Sequence, residues 1–256
     1  MPLAKKSLGQ HWLHDKAVLE AMCDAAAIGP EDTVLEIGPG LGTLTAILAQ
    51  RAKQVIAVEF DADLARQLPQ RVPANNVTVI HHDILTFDLT SLPPGYKIAA
   101  NIPYYLTSNL LRVLCESPRH FSQAALLVQK EVAERVCAQP GQMSILSVSV
   151  QYYCQARLGR VVPAMLFTPP PQVDSQILML QFRQPPRFAA ADAKQFFQVV
   201  KAGFSQRRKT LLNSLGAGLH LERAQVAAWL EQAGIMPSAR AQTLSLDDWF
   251  TLYRTL

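Results

Sequence analysis

The 256-residue chain is 49% hydrophobic and 17% charged, which excludes a disordered polymer and leaves room for one large domain with a small appendage. No apolar run approaches the roughly 18 residues that span a bilayer, and Met1-Pro2-Leu3-Ala4-Lys5-Lys6 has no apolar stretch behind its lysines, so neither a membrane span nor a secretory leader is expected. The net charge of +4 sits in the tail, because residues 1–183 carry 15 Lys/Arg against 15 Asp/Glu and residues 184–256 carry 9 against 5; a basic tail on a neutral body suits a polyanionic partner.

In chain order, Asp15 can cap a helix whose apolar positions Val18, Leu19, Met22, Ala25 and Ala26 recur at helical spacing, with Gly29-Pro30 as its stop. Thr33–Ile37 reads as a short buried strand, followed by a glycine loop and a helix over about Thr43–Arg51. Strands are expected at Val55–Val58, Val77–Ile80, Lys97–Ala100 and Ala124–Val128, with a helix near Ala62–Gln67. Two later strands fall near Tyr152–Leu158 and Ser175–Phe182. The last of these follows a proline-rich loop rather than a helix, which predicts an antiparallel edge.

Strands alternating with helices make βαβ units around a mostly parallel sheet of seven strands. Gln184-Pro185-Pro186 marks a boundary between a domain at 1–183 and an all-helical domain at 184–256. Helices are predicted there over Lys194–Ser205, Arg207–Leu215, Leu221–Gln232 and Leu246–Leu256. The four cysteines, Cys23, Cys115, Cys137 and Cys154, are too widely spaced for a metal knuckle or redox motif and fit reduced thiols in a cytosolic protein.

Glu36-Ile37-Gly38-Pro39-Gly40-Leu41-Gly42 follows a strand and opens a helix. Glycines there let the backbone turn tightly and lie against a ligand. Glu59 closes the next strand and can accept from both hydroxyls of a ribose, and Asp83 closes the third strand and can meet an adenine edge. A nicotinamide dinucleotide is the rival ligand, but its G-x-G-x-x-G fingerprint wants glycine where Thr43 stands. A leading acid with glycines at 38, 40 and 42 fits S-adenosylmethionine (SAM) better.

Asn101-Ile102-Pro103-Tyr104 follows the fourth strand. Ligands of open parallel sheets sit at the carboxyl ends of strands, so this tetrapeptide should face the cofactor. An exocyclic adenine amine is a poor nucleophile, because its lone pair is delocalised into the ring. The Asn101 side-chain oxygen and the Ile102 carbonyl can each accept one amine hydrogen, which aligns the nitrogen with a methyl donor. Tyr104 offers a face for the base, and Phe167, in the stiff loop Phe167-Thr168-Pro169-Pro170-Pro171, a second wall. His81-His82-Asp83 does not suggest a metal site, since adjacent strand residues point to opposite faces.

These motifs resemble the KsgA-type ribosomal RNA adenine dimethyltransferases nearly end to end. Lys5-Lys6-Ser7-Leu8-Gly9-Gln10-His11-Trp12-Leu13 is similar to the family's K-x-x-F-G-Q-N-F-L, with Leu8, His11 and Trp12 in place of Phe, Asn and Phe. Gln129–Val132, Phe167–Ser175 and Phe204–Thr210 match as well. The resemblance implies a Rossmann-like SAM-dependent methyltransferase fold. It implies SAM contacts at His11, Leu13, Gly38, Glu59, Asp83 and Asn101, with no metal. It also implies that two adjacent adenines near the 3′ end of 16S ribosomal RNA, in a small subunit or its precursor, each receive two methyls from a cytoplasmic, monomeric enzyme. Arg207-Arg208-Lys209, at the start of a predicted helix, then reads as a phosphate contact.

Three other readings compete. One is an RNA-binding assembly factor with secondary methylation. Another is a resistance-type methyltransferase of large-subunit RNA, which the Phe204–Thr210 string and the triple proline at 169–171 disfavour. The third is a dinucleotide oxidoreductase.

Overall fold

The computed structural model describes residues 9–184, 187–188 and 192–256. Lys5–Leu8 of the N-terminal motif and Pro185-Pro186 of the expected boundary lie outside the described residues. In chain order the elements begin with the two-residue strand β1 (Trp12–Leu13), α1 (Lys16–Ala25), β2 (Thr33–Ile37), α2 (Thr43–Arg51), β3 (Gln54–Glu59), α3 (Ala62–Arg71), β4 (Val77–His81) and β5 (Lys97–Asn101). Then come α4 (Thr107–Glu116), β6 (Gln123–Gln129), α5 (Lys130–Val136), α6 (Ile145–Tyr153), β7 (Cys154–Val162), β8 (Phe167–Thr168) and β9 (Ser175–Phe182). The helices α7 (Ala193–Phe204), α8 (Leu211–Leu219), α9 (Arg223–Gln232) and α10 (Leu246–Arg254) follow.

The chain divides into two units, one of residues 1–133 and 154–182, the other of 134–153 and 183–256. The first holds a seven-stranded sheet in the order β4-β3-β2-β5-β6-β9-β7. Strands β4 to β6 are mutually parallel, β9 runs antiparallel to β6, and β7 antiparallel to β9. The antiparallel edge expected from the proline loop is present, with β7 outermost and β9 between it and β6.

Local chemistry starts the helices. Asp15 Oδ1 accepts from Val18 N at 2.9 Å, and Asp61 Oδ1 from Asp63 N at 3.0 Å, each filling a donor that the first turn leaves open. Helix α3 runs past its expected end at Gln67 to Arg71, with Pro69 in its last turn, because Leu64, Ala65 and Leu68 bury one face. Strands β2, β5 and β6 are buried along nearly their whole length because both faces of the sheet are covered. Strand β2 sits between β3 and β5, the place where the winding of the sheet reverses and a crevice opens at the strands' carboxyl ends.

The second unit corrects the expected domain boundary. Met143, Val148 and Tyr152 belong to the core of the C-terminal helices, together with Phe196, Leu215, Trp229 and Trp249. The Tyr152 ring lies 4.9 Å from that of Phe196, and Gln242 O accepts from Gly141 N at 2.8 Å. Residues 134–153 are therefore part of the helical unit although the sheet chain resumes after them. The same packing corrects the expected strand at Tyr152–Leu158. The β-prone pair Tyr152-Tyr153 closes helix α6, and the strand starts at Cys154. Within the helical core, Trp229 Nε1 donates to Leu252 O at 2.8 Å.

Candidate active site

The carboxyl ends of β2, β3 and β5 and the turn after β4 surround a cavity of about 290 Å³. The loop after β2 shapes its floor. Gly38 has φ +66° and Gly40 φ +57°, in the left-handed region where a side chain is strained. A Cβ on Gly40 would also sit 2.6 Å from the Trp12 ring, whereas one on Gly38 meets nothing within 4 Å. The loop thus presents bare backbone to open space at Gly38 and packs under an indole at Gly40.

Glu59 braces that loop. Its Oε2 accepts from Gly40 N at 3.0 Å and its Oε1 from Asp61 N at 2.8 Å. Burial raises its carboxyl above the ordinary range, and the backbone donors work against the shift. Asp83 lies two residues past the end of β4 rather than closing it, because its Oδ1 caps the following turn at Leu85 N, 2.9 Å away. His81 and His82 bond to the backbone oxygens of Phe60 and Asp83, and no cluster of metal-ligating side chains occurs among the described residues.

The Glu36 carboxyl is 1% exposed, and its Oε2 has no hydrogen-bond partner among the described residues. Burial, reinforced by the Glu59 charge, pushes it up to about 8. A buried carboxyl with an unpaired oxygen at a cavity wall suits a ligand that brings positive charge. That, with the open space at Gly38, fits SAM, whose sulfonium and amino groups are cationic.

At the other end of the cavity, β5 delivers Asn101. Its Nδ2 donates to the backbone carbonyl of His11 at 3.1 Å. Ile102 is buried, its N–H bonds Leu127 O at 3.0 Å, and its own carbonyl takes no backbone donor among the described residues. Pro103 leads into a helical turn over Tyr104–Leu106. The Tyr104 hydroxyl is 2.9 Å from Ser175 Oγ, and burial raises its pKa. The His11 ring stacks on Tyr104 with centroids 5.9 Å apart, so one face of the tyrosine is covered by the chain itself.

A small ladder brings the N-terminal arm here. Trp12 pairs with Thr168 and Leu13 with Phe167, across β1 and β8. Leu13 is buried and its carbonyl accepts from Thr43 Oγ1 at 3.0 Å. His11 Nδ1 lies 2.7 Å from Pro169 O, which can only accept, so Nδ1 carries the proton and Nε2 is left as an acceptor. The Nδ1 donor of this imidazole thus serves Pro169 rather than a ligand. Phe167 is 3% exposed; its ring both lines the cavity and packs into the sheet core.

His11, Leu13, Gly38, Glu59, Asp83, Asn101, Ile102, Pro103, Tyr104 and Phe167 thus line one cavity. Arg207, Arg208 and Lys209 do not; they are exposed in the helical unit. The helix expected to begin at Arg207 begins at Leu211, because the chain turns at 205–208 after α7, so the three cations sit in a turn. Ser175 and Trp12 were not singled out as site residues. No local spacing marks a serine 71 positions from the tyrosine it holds.

The model of one family, described as ribosomal RNA adenine dimethylase, matches residues 1–256. This chain belongs to the ribosomal RNA adenine dimethylase family. It is a methyltransferase, and its cofactor is SAM. It is 44% identical over 250 residues to ribosomal RNA small subunit methyltransferase A of Dehalococcoides mccartyi, covering 96% of this chain and 86% of that one. Among solved structures it is similar to a dimethyladenosine transferase from Plasmodium falciparum, with TM-score 0.79, 28% identity, and 94% and 96% of the two chains covered. It is also similar to the 23S rRNA methyltransferase ErmE, with TM-score 0.77, 29% identity, and 96% and 99% covered. No helix among the described residues is long and apolar enough to cross a membrane.

Proposed function

We propose that this enzyme dimethylates the N6 amines of two adjacent adenines near the 3′ end of 16S ribosomal RNA, within the small subunit or its precursor, and thereby serves subunit biogenesis. The observation that carries this reading is the Asn101 amide, whose nitrogen is committed to the His11 carbonyl so that its oxygen remains for a substrate amine. Similarity to small subunit methyltransferase A supports the small-subunit substrate over the 23S RNA named for ErmE.

SAM supplies an electrophilic methyl group when bound. Gly38, Glu59 and Asp83, with His11 and Leu13, hold it. Asn101 Oδ1 and the Ile102 carbonyl accept the two amine hydrogens, orient the nitrogen lone pair and favour a tetrahedral nitrogen. Positioning of this kind can supply much of the rate enhancement. No strong base is required, since the alkylated ammonium sheds its proton to water. Tyr104 and Phe167 form the walls of the base pocket, and after the first transfer only one N–H remains, so the amine must rotate before the second.

Arg207, Arg208 and Lys209 contact RNA phosphates from the helical domain. The enzyme acts as a cytoplasmic monomer without a metal. The test is transfer of labelled methyl from SAM to under-methylated small subunits, followed by mapping of the modified nucleotides. Label on two adjacent adenines, lost in Glu59→Ala, supports the proposal. Subunit binding without transfer by the wild type would leave only an assembly factor.

A further inference from the structure

The turn after Pro103 carries two consecutive tyrosines in opposite situations. Tyr104 is partly buried and tied to Ser175. Tyr105 lines the same cavity but is 66% exposed. Among the described residues, no hydrogen bond, ion pair or ring contact involves its side chain. The ring nevertheless has a neighbour. A Cβ on Gly9 would lie 3.4 Å from Tyr105 Cδ1 and 3.5 Å from Cε1, so the Gly9 backbone lies alongside the ring.

A single exposed apolar side chain needs no explanation on an ordinary surface. Tyr105 differs in its position, on the cavity rim and next in the chain to the ring that walls the base pocket. Phe60, at 57%, and the His82 imidazole are further exposed rings of this rim, but they adjoin Glu59 and Asp83 at the ribose end. Among the described residues, Tyr105 is the exposed ring at the Asn101 end.

We propose that Tyr105 is a stacking subsite for the nucleobase adjoining the adenine in the pocket. This rests on the adenine-methylating reading above. A base drawn out of a strand leaves its neighbour with an uncovered face, and a flat ring at the pocket mouth replaces the lost stack. Stacking accepts any base, because each has a π-face. Two consecutive nucleotides are then held together, one inside and one on the rim. Where both are adenines, the second waits beside the pocket while the first is methylated.

The test uses the full chain with under-methylated small subunits and three variants, Tyr105→Ala, Tyr105→Leu and Tyr105→Phe. Loss of the stack is expected to raise KM for subunits about tenfold in the alanine and leucine variants. SAM affinity should be unchanged, and product should shift toward subunits modified at only one of the two adenines. Tyr105→Phe should behave as wild type, since it keeps the ring. Leucine keeps bulk against Gly9 without a π-face, so a leucine variant indistinguishable from wild type overturns the proposal. An alanine variant with unchanged subunit KM and product pattern does the same. A wild-type protein that leaves adenine N6 unmodified defeats the functional reading instead.

Discussion

The side-chain amide of Asn101 donates to the carbonyl of His11 at 3.1 Å, and this bond decides which atom of the amide is left over. A carbonyl accepts and cannot donate, so Nδ2 must face it and Oδ1 must face elsewhere. Asn101→Ala should therefore lower methyl transfer by about 100-fold or more while the protein still folds and binds SAM more weakly. Asn101→Asp should be as inactive, because it sets a carboxylate oxygen against the His11 carbonyl. Single-turnover transfer and equilibrium SAM binding, measured side by side, check both. Near-normal transfer by Asn101→Asp would contradict the assigned orientation.

Tyr104 and Ser175 act as a unit in the same geometry. Their 2.9 Å contact fixes a partly buried ring against a buried serine. Removing either hydroxyl costs roughly 1 kcal/mol of positioning, a several-fold fall in kcat. Ser175→Ala and Tyr104→Phe should each show that fall, and the double variant should be little worse than either single one. Strictly multiplicative losses would show that the contact does not matter to catalysis.

Glu36 predicts a pH dependence of stability in the cofactor-free protein. Its folded carboxyl is pushed up to about 8 by burial, above the ordinary 4.5. Between those values the folded state binds more proton than the unfolded state, so stability falls as pH rises from about 4.5 to 8 and levels off beyond. The raised Glu59 slopes the same way. Glu36→Gln removes one of these contributions and should flatten the decline of stability over that window by an amount on the order of a few kcal/mol, seen as a shallower fall of Tm. Thermal melts from pH 5 to 8.5 check this; parallel curves for variant and wild type would refute it.

Arg207, Arg208 and Lys209 are exposed in a turn rather than spread around a helix, so all three are accessible. Replacing them together with alanine should weaken binding of small-subunit RNA and reduce the salt dependence by about one log–log unit per lost phosphate contact. Fluorescence anisotropy across a salt series measures the slope. A slope equal to that of the wild type would place the RNA elsewhere.

Much of the nucleotide-facing site is local, and for that reason legible in the chain. The glycines at 38, 40 and 42 stand directly after a buried strand. Glu59 ends the next strand, and Asn101 ends β5, whose neighbours in the sheet follow from parallel winding. Short, mostly apolar segments of four or five residues identified every strand of the parallel part, and Asp15 announced its helix by cap chemistry. Motifs of this kind place residues at strand ends, and strand ends in such a sheet share one edge.

Tertiary structure alone decided what depends on contacts distant in sequence. Tyr152-Tyr153 has the composition of a strand, yet packing against Phe196 makes it the last turn of α6, and residues 134–153 join the helical unit. Strands β1 and β8 are two residues each, too short for any periodicity, and their pairing brings His11 and Phe167 to Asn101. That Asn101 ends β5 and reaches the cavity was legible in the sequence. The orientation of its amide was not, because the carbonyl that sets it lies 90 residues away.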